Sequence, residues 1–148
     1  MIFGIGTDIV EIHRVQKALE RNPRILNRLF TDYEIAYFQK RNMKMQHIAG
    51  SFSAKEAVVK ALGTGISGFC WKDVELLRGS SGKPMVKLYN KAKELAAKNK
   101  IGTIFISISH SQSHAMATAV AELLQGAGAE TQDELAFDMQ EDSIRSIN

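Results

Sequence analysis

Two carboxylates and a lysine are the side chains of this sequence best suited to chemistry. Asp8 lies within the apolar run from Ile2 to Ile12, and Glu56 and Lys60 stand one helical turn apart in a second apolar stretch. Separated carboxylates are hard oxygen ligands suited to Mg²⁺, with substrate phosphate and water completing its shell. A lysine one turn along the helix would neutralise phosphate charge. These residues predict phosphoryl-type transfer, in which positioning and charge neutralisation do most of the work.

Each of these residues also has a purely structural interpretation. Glu56 and Lys60 have the i,i+4 spacing of an ion pair at the rim of an ordinary helix. Asp8 fits a strand-end cap or a turn, although a lone acid inside so apolar a run usually has a further reason to be there. The spacing alone leaves both interpretations open.

The stretch from Ile48 to Gly65 is predicted to be one helix closed by a glycine turn. Gly63 stands where a C-cap glycine belongs. Gly63, Thr64 and Gly65 are further candidates for contacts with an anion or a nucleotide. One broad face of this helix is apolar and should be buried. Its residues are Ala54, Ala57, Val58, Ala61 and Leu62.

The remaining elements predict a mixed architecture. Residues 2–12 are expected to form a strand, and apolar residues on both of its faces predict a central position in a sheet. Basic helices follow over residues 13–44, broken at Asn22-Pro23 and restarted by a capping box at Thr31 and Glu34. The resulting order of strand, helices, two strands, helix and two strands predicts an α+β fold in which a small, mostly antiparallel sheet packs on helices.

Two turns carry further candidates for binding an anion. Gly82, Lys83 and Pro84 end a turn between predicted strands at 74–77 and 85–88, and could present amides and a cation to a phosphate. His110 begins the turn between the predicted final strands at 104–109 and 115–121. A plain hairpin turn and a polar turn residue are the structural alternatives for the two turns.

Composition and charge limit the class of protein. The chain has 148 residues, one cysteine, and no apolar run approaching the roughly 20 residues needed to cross a bilayer. No signal peptide is recognisable, and the single cysteine fits a reducing, cytoplasmic setting. Residues 1–122 carry a net charge of +8 and residues 123–148 carry −5. We therefore expect one globular domain over residues 1–122, followed by a flexible acidic extension over residues 123–148.

A basic stripe occupies the first helical region, where cations recur every three or four residues and acids are few. The ordinary interpretation is a solvated helix face, and the sharper one is a surface for an acidic partner. Nucleic acid is one candidate, although few aromatic residues are interleaved with these cations, and an acidic protein is the other. The arginines concerned are Arg14, Arg21, Arg24 and Arg28.

Five motifs together resemble one family, the holo-acyl-carrier-protein synthases, which are short bacterial-type 4′-phosphopantetheinyl transferases. The resemblance covers residues 1 to about 122, and the block at 52–65 combined with the early aspartate is its most specific part. The motifs are G-I-G-T-D-I at 4–9, F-T-x-x-E at 30–34, F-S-A-K-E-A-x-x-K-A-x-G-T-G at 52–65, G-K-P at 82–84 and S-I-S-H at 107–110.

The resemblance implies an activity and its catalytic residues. Enzymes of this family transfer the phosphopantetheine arm of coenzyme A to a serine of apo-acyl carrier protein, in fatty acid biosynthesis, and release adenosine 3′,5′-bisphosphate. Asp8 and Glu56 match the Mg²⁺ ligands, and Lys60 matches a lysine that contacts the pyrophosphate. The serine proton would go either to Glu56 or to a metal-bound water that Glu56 orients.

The resemblance also implies binding surfaces and an assembly. His110 and the turn from Gly82 to Pro84 match positions around the adenosine 3′-phosphate and the base. The four arginines of the basic stripe fall in the region that docks the acidic carrier protein. Members of the family form trimers in which each coenzyme A site lies between two subunits. No role in nucleic-acid or membrane binding is implied.

Overall fold

Helix α4 (Met45–Leu62) lies at the centre of the fold, and most of its residues are buried. In this computed structural model, residues 1–65 and 67–126 are described. The helix ends as the sequence predicts, because Gly63 adopts the left-handed conformation with φ 79° and its N–H donates to the carbonyl of Lys60. The other elements are β1 (Ile2–Glu11), α1 (Ile12–Arg21), α2 (Arg24–Leu29), α3 (Asp32–Lys40), β2 (Val74–Arg78), β3 (Pro84–Leu88), α5 (Asn90–Lys98), β4 (Ile101–His110) and β5 (His114–Leu123), with a 3₁₀ turn at Trp71–Asp73.

Two small antiparallel sheets accompany the helices, so the expected α+β class and element order are confirmed. The larger sheet has the strand order β1-β5-β4, and β2 pairs with β3 in a hairpin. Helix α4 packs across the three-stranded sheet, where alanines at every second position of β5 give it room. These inward residues of β5 are Ala115, Ala117, Ala119 and Ala121.

The expectation that β1 is a central strand is wrong. In the described chain β1 is an edge strand, paired only with β5. Its inward face holds Gly4, Gly6 and Asp8, while Ile5 and Ile9 point away from α4 and are 60% and 63% exposed. The apolar residues on both faces of β1 therefore reflect an outer surface that one chain leaves uncovered.

A second core lies between the N-terminal helices and α4. Phe30, Phe38 and Ile48 are fully buried in it, and Thr31 with Glu34 forms the capping box that the sequence predicts at the start of α3. Strand β1 passes into α1 without a loop, since Glu11 is both the last strand residue and the N-cap of the helix.

No helix within residues 1–65 and 67–126 combines the length and the hydrophobicity that spanning a bilayer requires. The division between a domain at 1–122 and an extension at 123–148 stays a prediction, because residues 127–148 lie outside the described ranges.

Candidate active site

The backbone of β1 lies directly on the backbone of α4, and this contact places Asp8. A Cβ atom built on Gly6 would lie 1.9 Å from the carbonyl oxygen of Ala57, and one built on Gly4 would lie 2.2 Å from that of Ala61. Only glycine permits such an approach. Because side chains alternate along a strand, Asp8 faces the same helix two residues later.

Asp8 and Lys60 form an ion pair across this contact. Lys60 Nζ donates to Asp8 Oδ1 at 3.0 Å and to the carbonyl of Thr7 at 2.8 Å. Ser53, which is fully buried in α4, donates its hydroxyl to the carbonyl of Asp8 at 2.9 Å. Within the described ranges Lys60 pairs with Asp8, so the interpretation of Glu56 and Lys60 as a simple i,i+4 ion pair is wrong.

The second oxygen of Asp8 and the nearby carboxylate of Glu56 together favour the binding of a cation. Asp8 Oδ2 is buried and has no hydrogen-bond partner among the described residues. Burial raises the pKa of the Glu56 carboxyl, the charge of Asp8 raises it further, and Lys60 lowers it. An unpaired buried oxygen beside a second carboxylate is unfavourable unless positive charge is added.

This donor set fits Mg²⁺ better than a metal held wholly by protein. The described residues contain no group of three or more histidine, cysteine or acidic side chains able to hold a metal. Mg²⁺ is usually bound by one or two carboxylates together with substrate phosphates and water, so Asp8 and Glu56 would suffice.

A second, strongly basic cluster surrounds the ring of Tyr37. The guanidinium groups of Arg41 and Arg78 lie 5.5 Å and 5.0 Å from its centroid. His47 packs on the same ring at 6.0 Å, and its own ring lies 6.4 Å from that of His110. We call Tyr37, Arg41, His47, Arg78 and His110 the basic cluster.

The basic cluster borders a cavity of about 360 Å³ that includes Gly82, Arg41 and Arg78 among its lining residues. The pKa of His47 is lowered by burial first and then by the charges of Arg41, His110, Arg78 and Lys44. So many converging cations favour an anion at this position.

Sequence patterns indicated His110 and the turn at Gly82, but they did not indicate Arg41, His47 or Arg78. The available signal was weak: Arg78 immediately precedes the glycine turn, and His47 falls in the first turn of α4.

The predicted site residues fall into two groups in one chain. Asp8, Glu56 and Lys60 are gathered near the C-terminal half of α4. His110 belongs to the basic cluster at the N-terminal end of α4, where His47 is nine residues, or about 14 Å along the helix, from Glu56. The exposed turn from Gly63 to Gly65 follows the opposite, C-terminal end of α4. A single chain therefore does not bring all the candidate coenzyme A contacts together.

The four arginines of the basic stripe are exposed on α1 and α2, and none forms an ion pair with a residue in the described ranges. This leaves their charges available to an acidic partner. Lys83 lies in the turn of the β2-β3 hairpin as expected, with its carbonyl accepting from the Gly79 N–H at 3.0 Å. Pro84 was expected in that turn but is the first residue of β3, paired with Arg78.

Comparison with known proteins places this arrangement in a class. The model of the 4′-phosphopantetheinyl transferase superfamily matches residues 4–119, and the chain belongs to that superfamily. The holo-[acyl-carrier-protein] synthase of Alkaliphilus metalliredigens is 56% identical over 121 residues, which cover 82% of this chain and 99% of that protein. The resemblance inferred from the five motifs is thereby confirmed.

Solved structures agree with this assignment. The Helicobacter pylori holo-[acyl-carrier-protein] synthase in complex with coenzyme A is 32% identical, with a TM-score of 0.71, covering 80% of this chain and 99% of that one. The Bacillus anthracis synthase in complex with CoA (3′,5′-ADP) is also 32% identical, with a TM-score of 0.69, covering 84% and 99%. These relatives give no support to the alternative of a nucleic-acid-binding module.

Proposed function

We propose that this protein transfers the 4′-phosphopantetheine group of coenzyme A to a serine of apo-acyl carrier protein, giving holo-carrier and adenosine 3′,5′-bisphosphate. The observation that carries the proposal is the meeting of Asp8, Glu56 and Lys60, with one buried Asp8 oxygen unpaired. The relatives named as synthases, two of them solved with coenzyme A or its product, support it. The matching pathway is fatty acid biosynthesis in the cytoplasm.

The reaction breaks the phosphoanhydride bond of coenzyme A and forms a phosphodiester on the carrier. The serine oxygen of the carrier forms a bond to the phosphorus that bears pantetheine, while the bond from that phosphorus to the bridging oxygen of the diphosphate breaks. The electron pair leaves with adenosine 3′,5′-bisphosphate. The serine proton passes either to the carboxylate of Glu56 or to a water molecule that Glu56 orients.

Negative charge that builds up on the diphosphate oxygens is the main obstacle to this step, and the ammonium group of Lys60 is positioned to neutralise it. Its ammonium group is anchored by Asp8 and the Thr7 carbonyl yet remains 49% exposed, so one donor can face a substrate oxygen. Asp8 and Glu56 would hold Mg²⁺, which when bound supplies further positive charge at the diphosphate. Asp8 thus orients Lys60 through one oxygen and offers the other to the metal.

The basic cluster would bind the 3′-phosphate end of coenzyme A. Arg41 and Arg78 line the cavity beside Gly82, and His110 joins the basic cluster through its ring contact with His47. Phosphate is the dianion that such a group of donors favours. This extends the sequence-based assignment of His110, Gly82, Lys83 and Pro84 to two arginines. Gly63, Thr64 and Gly65 remain predicted contacts at the other end of α4.

The two separated groups of residues support a trimer whose coenzyme A sites lie between subunits. The outer face of the three-stranded sheet is apolar and uncovered, with Ile5 60%, Ile9 63%, Phe105 51% and Met116 43% exposed. We propose that neighbouring copies of the chain cover this face and bring His110 of one subunit to Glu56 of another. Closed rings built from heterologous contacts are a common route to such shared sites.

The exposed arginines at positions 14, 21, 24 and 28 would dock the carrier protein, which is expected to be acidic. Their charges would steer encounter more than they tighten binding, so carrier association should weaken as salt rises.

The direct test is incubation with apo-carrier, coenzyme A and Mg²⁺, followed by mass spectrometry of the carrier. A gain of about 340 Da is expected for the covalent arm. Glu56→Gln and Asp8→Ala should abolish the gain while circular dichroism shows an unchanged fold. Wild-type rates in both variants would refute the metal assignment, and absence of the gain with the unaltered protein would refute the proposed function.

A further inference from the structure

A groove between α2 and the segment around the 3₁₀ turn at Trp71–Asp73 has no role in the site described above. It has a volume of about 630 Å³. We call it the α2 groove. Both sides contribute apolar side chains and one cation to its lining. The α2 side provides Ile25, Leu29 and Arg28, and the other side provides Phe69, Trp71 and Lys72.

Hydrogen bonds from Lys55 link the two sides of the α2 groove. This side chain is fully buried, and its Nζ donates to the carbonyl of Leu29 at 2.8 Å and to the carbonyl of Trp71 at 3.2 Å. Its third donor binds Glu34 Oε2 at 2.8 Å. One ammonium group therefore links α2, α3 and the 3₁₀ turn, and so connects the two sides of the groove.

The buried pair of Lys55 and Glu34 is better explained by positioning than by stability. Burial raises the pKa of Glu34 and lowers that of Lys55, so loss of solvation outweighs their attraction. Pairs of this kind contribute little stability, yet they hold chain segments in one arrangement. Trp71 is held further by its ring contact with Phe52 of α4, at 5.6 Å between centroids.

The positive charge and the apolar lining of the α2 groove indicate which kind of partner it can bind. None of its lining residues within 1–65 and 67–126 is acidic, and Arg28 already belongs to the basic stripe, so the groove continues that surface past the end of α2. An apolar lining with two cations fits an acidic segment that inserts an apolar side chain. A preformed groove also avoids the cost of ordering its walls when the partner binds.

We propose that the α2 groove is a docking site for an acidic segment of the carrier protein, in which Lys72 pairs with the carrier and Lys55 acts as a positioning residue. The proposal rests on the proposed function, because it takes the carrier as substrate. It adds Lys72, Phe69 and Trp71 to the docking surface.

Cys70 provides a reporter inside the groove. It is the only cysteine of the sequence, it is exposed, and it lines the α2 groove. The experiment measures the rate at which a maleimide alkylates Cys70 while a carrier with its acceptor serine replaced by alanine is titrated in. Transfer to the unaltered carrier is measured on the same preparation, so that the proposed function is tested separately.

The carrier should slow alkylation of Cys70, with a half-maximal concentration near its KM. Lys72→Ala should raise the KM for the carrier by roughly 1.5- to 5-fold, the range of one exposed charge pair, with kcat and the KM for coenzyme A unchanged. Lys72→Glu should raise it further and weaken protection of Cys70. Lys98→Glu, the same charge reversal at an exposed site on α5, should change neither quantity.

Three results would overturn the inference. In the first, transfer proceeds normally while the carrier leaves Cys70 alkylation unchanged. In the second, alkylation slows with rising concentration of this protein alone, which assigns the groove to a second copy. In the third, Cys70 reacts faster once residues 127–148 are removed, which assigns the groove to the chain's own acidic segment. The proposed function would stand in all three cases.

Discussion

Gly6→Ala tests the idea that contact between two backbones sets the geometry of the active site. The added Cβ would lie 1.9 Å from the carbonyl oxygen of Ala57, whereas real Cβ contacts essentially never fall below 3.0 Å. Strand β1 must therefore separate from α4 by about 1 Å, and no flexible side chain can absorb the movement because the obstacle is backbone. Asp8, two residues along the strand, should move with it.

The expected loss of activity is larger than the loss of stability. Overpacking of this size costs about 1–3 kcal/mol of unfolding free energy. An added separation of about 1 Å would take the Asp8–Lys60 contact from 3.0 Å to the limit of an ion pair. Misplacement of catalytic groups by about 1 Å can reduce rates by about 100-fold. We expect kcat/KM to fall by about that factor while the protein stays folded.

Two assays and two controls separate geometry from stability. Steady-state transfer gives kcat/KM, and titration with Mn²⁺ followed by electron paramagnetic resonance gives the affinity for the metal without turnover. Val86→Ala, which removes buried volume in β3 away from Asp8, should destabilise comparably and keep both values. Gly126→Ala, where the new Cβ meets nothing within 4 Å, should be neutral. A folded Gly6→Ala protein with kcat/KM and Mn²⁺ affinity within about threefold of wild type would refute the reasoning.

Further predictions concern charge and assembly. Asp8→Asn should lower the pKa of Glu56, because it removes the negative charge that raises this pKa together with burial. Carbon NMR measures the pKa. An unchanged value would mean that the two carboxylates do not interact. Since that pKa is raised, divalent-cation affinity in the wild-type protein should weaken as pH falls through it, with proton release on binding measured by calorimetry in two buffers. Arg78→Ala should raise the KM for coenzyme A by about 10-fold or more but leave that for dephospho-coenzyme A nearly unchanged, given about 1.5–3 kcal/mol for a charged hydrogen bond. An equal rise in the KM for both substrates would show that Arg78 does not contact the 3′-phosphate. The Glu56→Gln and His110→Ala proteins should each be inactive alone. When their subunits are mixed randomly in a ring with shared sites, about a quarter of the sites should contain both intact residues, and about a quarter of wild-type activity should return. No recovery of activity would show that each site lies within one subunit.

Local patterns of the sequence predicted the elements that position the site. The C-cap of α4 follows from Gly63 and the capping box at Thr31 from the glutamate three residues later, whereas α4 begins at Met45, three residues before the predicted start at Ile48. Such features depend on neighbours within a few residues, so one sequence contains them. The α+β class follows from the order of the elements.

Contacts between distant segments were harder to predict. Spacing on α4 suggested a Glu56–Lys60 pair, but the close approach of β1 gives Lys60 a better partner in Asp8. The basic cluster joins residues from α3, α4, β2 and β4, and no periodicity links them. Apolar residues on both faces of β1 indicated a central strand, but they did not reveal that β1 pairs only with β5 in the described chain.

The direct passage of β1 into α1 has a consequence for how this protein can change. Asp8 and Arg14 are six residues apart on one continuous piece of chain, with Glu11 serving as both strand end and helix cap. An insertion between them would rotate the arginines away from their side of the molecule or pull the aspartate out of register. With the carrier docked on these arginines as proposed, new carrier preferences should be reached through substitutions on α1 and α2 rather than through changes in chain length there.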